Sequence, residues 1–243
     1  MTGSVPGGVD DFRTLRERGL PYVDRSRLVR AVLDASAQVI VLPRPREVGE
    51  SLNSSMLRCY FDKREEDLSG LFVDLEIAQA TDAYLDHFQR YPVIYLTFKG
   101  IEGSTWEDAW ASVRMTIADL FEEHSYLLLS PELSEREALD FRAILAGVAD
   151  RTLYEAALMD LCRYLRLHHG EKVVVLIDDC DEAAHAGVEA GYAPEIVEFF
   201  RAFLAEGLKG NPHLFKAVLT GIPGVGGEPV FSELSNLAVG AVL

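Results

Sequence analysis

Two stretches of this 243-residue chain carry side chains whose types and spacing suit phosphate and metal chemistry. The first, Arg44-Pro45-Arg46-Glu47-Val48-Gly49-Glu50-Ser51-Leu52, joins an apolar run, Gln38 to Leu42, to a segment of helical spacing, Ser51 to Phe61. A loop in that setting wraps backbone N–H groups around phosphate oxygens at a helix N-terminus, where the helix dipole also favours an anion. Its lysine normally reaches the β- and γ-phosphates, and the Ser or Thr that follows holds Mg2+. Here Gly49-Glu50-Ser51 stands where Gly-Lys-Ser would be, and Arg44 replaces the first glycine of the usual spacing. By pattern alone, an ordinary strand-to-helix turn fits these residues better.

The second stretch is Lys172 to Ile177 followed by Asp178-Asp179, with Asp181 close behind. It has the form of an acidic strand lying beside a phosphate-loop strand, where the first carboxylate organises Mg2+ and the second, usually Glu, activates water. Asp179 is one methylene shorter than Glu, and a solvated turn is the plain alternative for the acidic cluster. Thr220 ends another apolar run, Leu214 to Thr220, where a polar side chain would stand between the acidic strand and the phosphate loop. Other features invite chemistry and do not support it. His168-His169 have no partner at metal-ligand spacing and suit the end of a helix, where the dipole favours a cation. Gly224-Val225-Gly226-Gly227 is followed by no helical pattern long enough for a dinucleotide fingerprint and reads as a turn.

The elements that position these residues alternate between helical and strand signals, as expected when helices cover both faces of a mostly parallel sheet. Asp10 and Asp11 precede a short capped helix at Phe12 to Arg16, and Asp24 or Ser26 opens a second through Leu33. Strands are expected at 38–42, 92–98, 172–177 and 214–220. Helices are expected at 51–61, 105–123, 134–146 and 152–167, with another from Pro194 that stops at Gly207 or Gly210. Trp106 and Trp110 fall at helical spacing and read as core. The fold class is therefore α/β, a three-layer fold with a mostly parallel central sheet. A single domain over residues 1–243 is expected, with residues 1–37 as a leading helical segment.

Composition narrows the function. Hydrophobic residues make up 49% and charged residues 26%, the balance of a chain that folds around a core. A net charge of −16 argues against direct nucleic-acid binding and against attraction to anionic lipid. Cys59, Cys162 and Cys180 show no CxxC spacing, which points to reduced thiols rather than zinc or disulfides. Residues 1–9 lack the basic start and apolar run of a signal peptide, and no apolar stretch reaches the roughly 20 residues of a membrane span. A cytoplasmic protein is expected.

Taken together, the two stretches make the sequence resemble the bacterial and archaeal AAA-ATPase-like family, often found fused to a C-terminal restriction-endonuclease-like nuclease domain. The resemblance runs over nearly the whole chain. It rests on Asp11-Phe12 with Tyr22-Val23-Asp24, on Arg44-Pro45-Arg46 with Gly49, Ser51-Leu52-Asn53 and Ser55-Met56-Leu57, and on Tyr91 to Lys99. It continues through Leu176-Ile177-Asp178 with Asp181, Leu208-Lys209, Leu219-Thr220-Gly221-Ile222, and Phe231-Ser232 with Asn236-Leu237. The family pattern itself uses Arg-Pro-Arg in place of the first glycine, so Arg44 conforms to it.

The resemblance implies a P-loop NTPase, AAA-like fold for this α/β chain, with ATP and Mg2+ as cofactors. Residues 44–52 would cradle phosphate, Ser51 and Asp178 would hold the metal, and Asp178, Asp179 and Thr220 would serve catalysis. Three positions depart from the family together. Glu50 replaces the lysine of Arg-Phe-Gly-Lys-Thr, Asp179 replaces the glutamate of Asp-Glu-Tyr-Asp, and Gly224 stands where an arginine commonly follows the Thr-Gly-Ile strand. The expectation is a degenerate ATPase-like domain with weak or absent ATP binding and negligible hydrolysis, acting through a protein partner or as a homo-oligomer. The alternative is an active Mg-dependent ATPase in which Arg44 or Arg46 supplies the missing charge. Relatives continue into a helical lid and usually a nuclease domain, and both are expected to be absent here.

Overall fold

The computed structural model describes residues 9–42, 50–101, 103–221, 224–225, 228–229 and 237–239; at Glu50, Cys180, Asp181 and from 224 onward only the backbone is described. The elements are α1 (Phe12–Glu17), α2 (Arg27–Asp34), β1 (Val39–Leu42), α3 (Glu50–Phe61), α4 (Asp82–Leu85), β2 (Val93–Thr97), α5 (Trp106–Glu123), α6 (Glu135–Leu145) and α7 (Arg151–His169). They continue with β3 (Val173–Asp178), α8 (Cys180–Ala190), α9 (Ala193–Leu208), β4 (Leu214–Thr220), β5 (Gly224–Val225), β6 (Glu228–Pro229) and β7 (Leu237–Val239). Short 3-10 turns at Ser69–Leu71, Glu76–Gln79 and Ser125–Leu129 complete them.

The central sheet runs β2-β3-β4-β1-β7, and every neighbouring pair is parallel. A parallel sheet covered on both faces needs strands that are apolar throughout, and all six residues of β3 are buried. Alternate residues serve opposite faces. Val173, Val175 and Ile177 join one apolar cluster with α5, α6, α7 and α9, whereas Val174 and Leu176 join a second with α1, α2 and α3. The result is the expected three-layer α/β arrangement. No helix among the described residues is long and apolar enough to cross a membrane.

Local chemistry sets the helix ends. Asp11 accepts from the N–H of Thr14 to start α1, Thr105 accepts from Asp108 to start α5, and Ser134 and Glu137 form a reciprocal capping box on α6. Asp150 caps α7, and Gly170, at φ +74°, ends it after His168 and His169. Gly207 does not stop α9. It lies inside the helix where a Cβ would come within 2.5 Å of Leu158, so it permits the close packing of α9 on α7.

Two expectations need correction, and two further segments form elements where none was expected. The acidic strand does not lie beside the phosphate-loop strand: β4 pairs with both β1 and β3 and separates them, because strand order is set by long-range pairing. Between Asp178 and Pro194, where no element was expected, α8 begins at Cys180 and packs on α9. The stretch after Gly221 is more than a turn: β5 and β6 pair antiparallel, and β7 adds a fifth strand beside β1. Residues 62–91, without helical or strand period, fold into 3-10 turns and α4, burying Leu68, Phe72, Leu75 and Ile77 against α1 and α3.

Candidate functional site

The carboxyl ends of four strands meet at one level. Leu42 of β1 is in register with Thr220 of β4, Ile177 of β3 with Leu219 of β4, and Thr97 of β2 with Asp178 of β3. The end of β1 and Asp178 are therefore two strand spacings apart, roughly 10 Å, with Thr220 between them. That is a reach a metal ion with its phosphate ligand can span.

Asp178 is 1% exposed. The Thr220 hydroxyl donates to its Oδ1, and the same Thr220 oxygen accepts the N–H of Asp179 at 3.4 Å. Oδ2 of Asp178 is buried and has no hydrogen-bond partner among the described residues. A buried carboxylate oxygen in that state carries a desolvation penalty that a bound cation would relieve. Asp179, also buried, sits at φ 55° and ψ 37° and turns the chain from β3 into α8. Aspartate tolerates this left-handed conformation better than most residues, and such positions concentrate at functional sites.

Ser51, in the first turn of α3, lines the same cleft of about 420 Å3 as Asp178. The two residues expected to hold Mg2+ thus line one cleft, and the unpartnered carboxylate oxygen is chemically suited to a cation. Leu52 packs into the second apolar cluster, leaving its backbone rather than its side chain for a ligand. Glu50 opens α3. Arg44, Pro45, Arg46, Glu47, Val48 and Gly49 lie outside the described residues.

The rest of the cleft comes from residues outside the two stretches with phosphate and metal chemistry. The leading segment closes one side: Asp11 accepts from the Ser55 hydroxyl at 2.9 Å, and the Phe12 N–H donates to the same hydroxyl at 2.9 Å. Burial pushes the Asp11 carboxyl up, but hydrogen bonds from Thr14 and Ser55 outweigh it and hold the group below the usual carboxylate range. On the other side, Lys99 reaches Asp10 at 3.0 Å, a contact that raises the lysine's pKa. The Arg58 guanidinium lies 5.0 Å from the centre of the Tyr95 ring and donates to Glu123 at 2.8 Å. Burial, then the charge of Asp178, pushes the Tyr95 hydroxyl up. The signal for Lys99 and Tyr95 was the Tyr91 to Lys99 segment, which carries the resemblance without assigning either residue a task.

Elsewhere, His168 pairs with the Ser130 hydroxyl at 3.0 Å and His169 with the Tyr126 hydroxyl at 2.8 Å. Trp106 and Trp110 stack at 5.6 Å against the first cluster. Cys59 and Cys162 are buried free thiols.

One comparison adds to this geometry. A family model described as Predicted AAA-ATPase matches residues 6–231. No curated protein and no solved structure matches the chain.

Proposed function

Because the chain belongs to the AAA-ATPase-like family, we propose that it is a degenerate member that binds ATP weakly or not at all, hydrolyses it negligibly, and acts through contacts with another protein or a second copy. The observation that carries this reading is Glu50 at the start of α3, where the loop's lysine is expected. At about 4 Å, a unit-charge contact is worth on the order of 1 kcal/mol in water and about 4 at an effective dielectric of 20, so reversing its sign shifts the balance by roughly twice that. Catalysis loses more than binding. The lysine and the arginine replaced by Gly224 would both stabilise transition-state charge, and Asp179 is short for holding a water. In this reading the chain is one cytoplasmic domain over residues 1–243, without direct nucleic-acid binding.

A second reading has its own support. The unpartnered Oδ2 of Asp178, with Ser51 in the same cleft, suits a Mg-dependent ATPase in which Arg44 or Arg46 replaces the lysine. Ser51 and Asp178 would hold the ion, and Thr220 would keep Asp178 oriented. A bound Mg2+ would supply charge neutralisation for the β- and γ-phosphates. Isothermal titration with ATP and MgCl2 separates the readings. Micromolar affinity together with phosphate release that Asp178→Ala abolishes would establish the second and overturn the first.

A further inference from the structure

The lysine missing from the phosphate loop is not the sole candidate cation for this site, because Lys99, just past the end of β2, lines the same cleft as Ser51 and Asp178. Its position is fixed by the backbone. The register Thr97 to Asp178 is prolonged by the Phe98 N–H, which donates to the Asp178 carbonyl at 3.1 Å. The Lys99 N–H then folds back onto the Thr97 hydroxyl at 3.2 Å, and Gly100, at φ +77°, completes the turn. These contacts hold Lys99 over the end of β3, where its ammonium meets Asp10.

That ion pair is loosely held. The Lys99 and Asp10 side chains are 55% and 60% exposed, and pairs so exposed exchange readily for other partners. Among the described residues the cleft is otherwise short of positive charge. Asp10, Asp11 and Asp178 face Arg58 and Lys99, the charges of Asp179 and Glu182 also act on Lys99, and Arg58 is engaged by Glu123 and Tyr95. A divalent cation on the unpartnered Asp178 oxygen would offset part of that negative charge. A phosphoryl oxygen on that cation would then compete for Lys99, and the Asp10 carboxylate is the group it would displace.

We propose that Lys99 is a phosphoryl-binding residue of this site: Asp10 occupies it in the absence of ligand, and a magnesium-bound terminal phosphoryl group takes it over. This rests on the reading that nucleotide, however weakly, seats at the start of α3. Lys99 cannot restore a loop lysine, since it approaches from β2, but it accounts for residual affinity in a chain whose loop carries Glu50.

The test is isothermal titration with ATP, with MgCl2 and with EDTA, on the full chain and on Lys99→Met and Asp10→Asn, each also built into Glu50→Lys. The expected result with MgCl2 is at least about tenfold weaker binding for Lys99→Met and several-fold tighter binding for Asp10→Asn. With EDTA the Lys99→Met effect should disappear, and the thermal midpoint should not move, because an exposed pair contributes little to folding. Equal affinities for Glu50→Lys with and without Lys99→Met would overturn the role of Lys99 and leave the family-based reading intact. Absence of binding in every variant, Glu50→Lys included, would overturn both.

Discussion

Strand β4 buries a polar side chain at each end, and the two ends are finished differently. At the start, Lys216 is 7% exposed and donates to the carbonyls of Ala35 and Ala37, the second at 3.0 Å. At the finish, Thr220 holds one oxygen of Asp178 while the other has no partner among the described residues. Lys216 joins the segment before β1 to the sheet, and its ammonium is partnered by two carbonyls. Asp178 is held in place and left incomplete. Burial of a polar group thus marks structure where its bonds are closed, and a candidate site where one is left open toward a cleft. His124 offers a third case, with both ring nitrogens buried and unpartnered among the described residues.

Three measurements sharpen or break that comparison. The largest effect belongs to His124, whose pKa burial depresses to about 4. The native state therefore holds the neutral ring, while the unfolded chain takes up its proton near pH 6.5. Stability is fully present above about 6.5 and falls as the pH drops toward about 4, by up to roughly 3 kcal/mol. His169 is depressed in the same direction, so His124→Leu should remove much of the slope without abolishing it. Urea midpoints at pH 7 and pH 5 measure this, and an unchanged slope in the variant would refute it.

Lys216→Met comes next. It strips two carbonyls of their donor and should destabilise by about 1–3 kcal/mol. A neutral or stabilising outcome would mean that the Lys216 bonds do not close the start of β4 in the way described. The smallest effect has the opposite sign. Asp178→Asn keeps the Thr220 contact, removes a buried charge, and should stabilise by about 1 kcal/mol, with the denaturant midpoint as readout. Destabilisation by Asp178→Asn would show that the second oxygen is already satisfied.

The same contrast explains what could be read in advance. Strands β1, β2, β3 and β4 were legible because a strand buried on both faces is a short unbroken apolar run, and α6 because Ser134 and Glu137 write its start. Helix α8 was not legible, since Ala183, Ala184, Ala186 and Gly187 give little contrast between faces. The turns of residues 62–91 bury Leu68, Phe72 and Ile77 without a period, and β7 is only Leu237–Val239. The place of β4 between β1 and β3 depends on pairing between distant segments, which no local pattern encodes. Within the candidate site, Asp178 and Thr220 announce themselves at strand ends. Asp10, Ser55 and Lys99 do not, because their meeting depends on how α1, α3 and the end of β2 pack.

The central claim is that Glu50 sets the wrong charge at the start of α3. Titrating ATP with MgCl2 into the native chain and into Glu50→Lys tests it most directly. The account predicts weak or undetectable binding to the native chain and affinity at least about tenfold higher for Glu50→Lys. Tight binding to the native chain that Glu50→Lys leaves unchanged would contradict it.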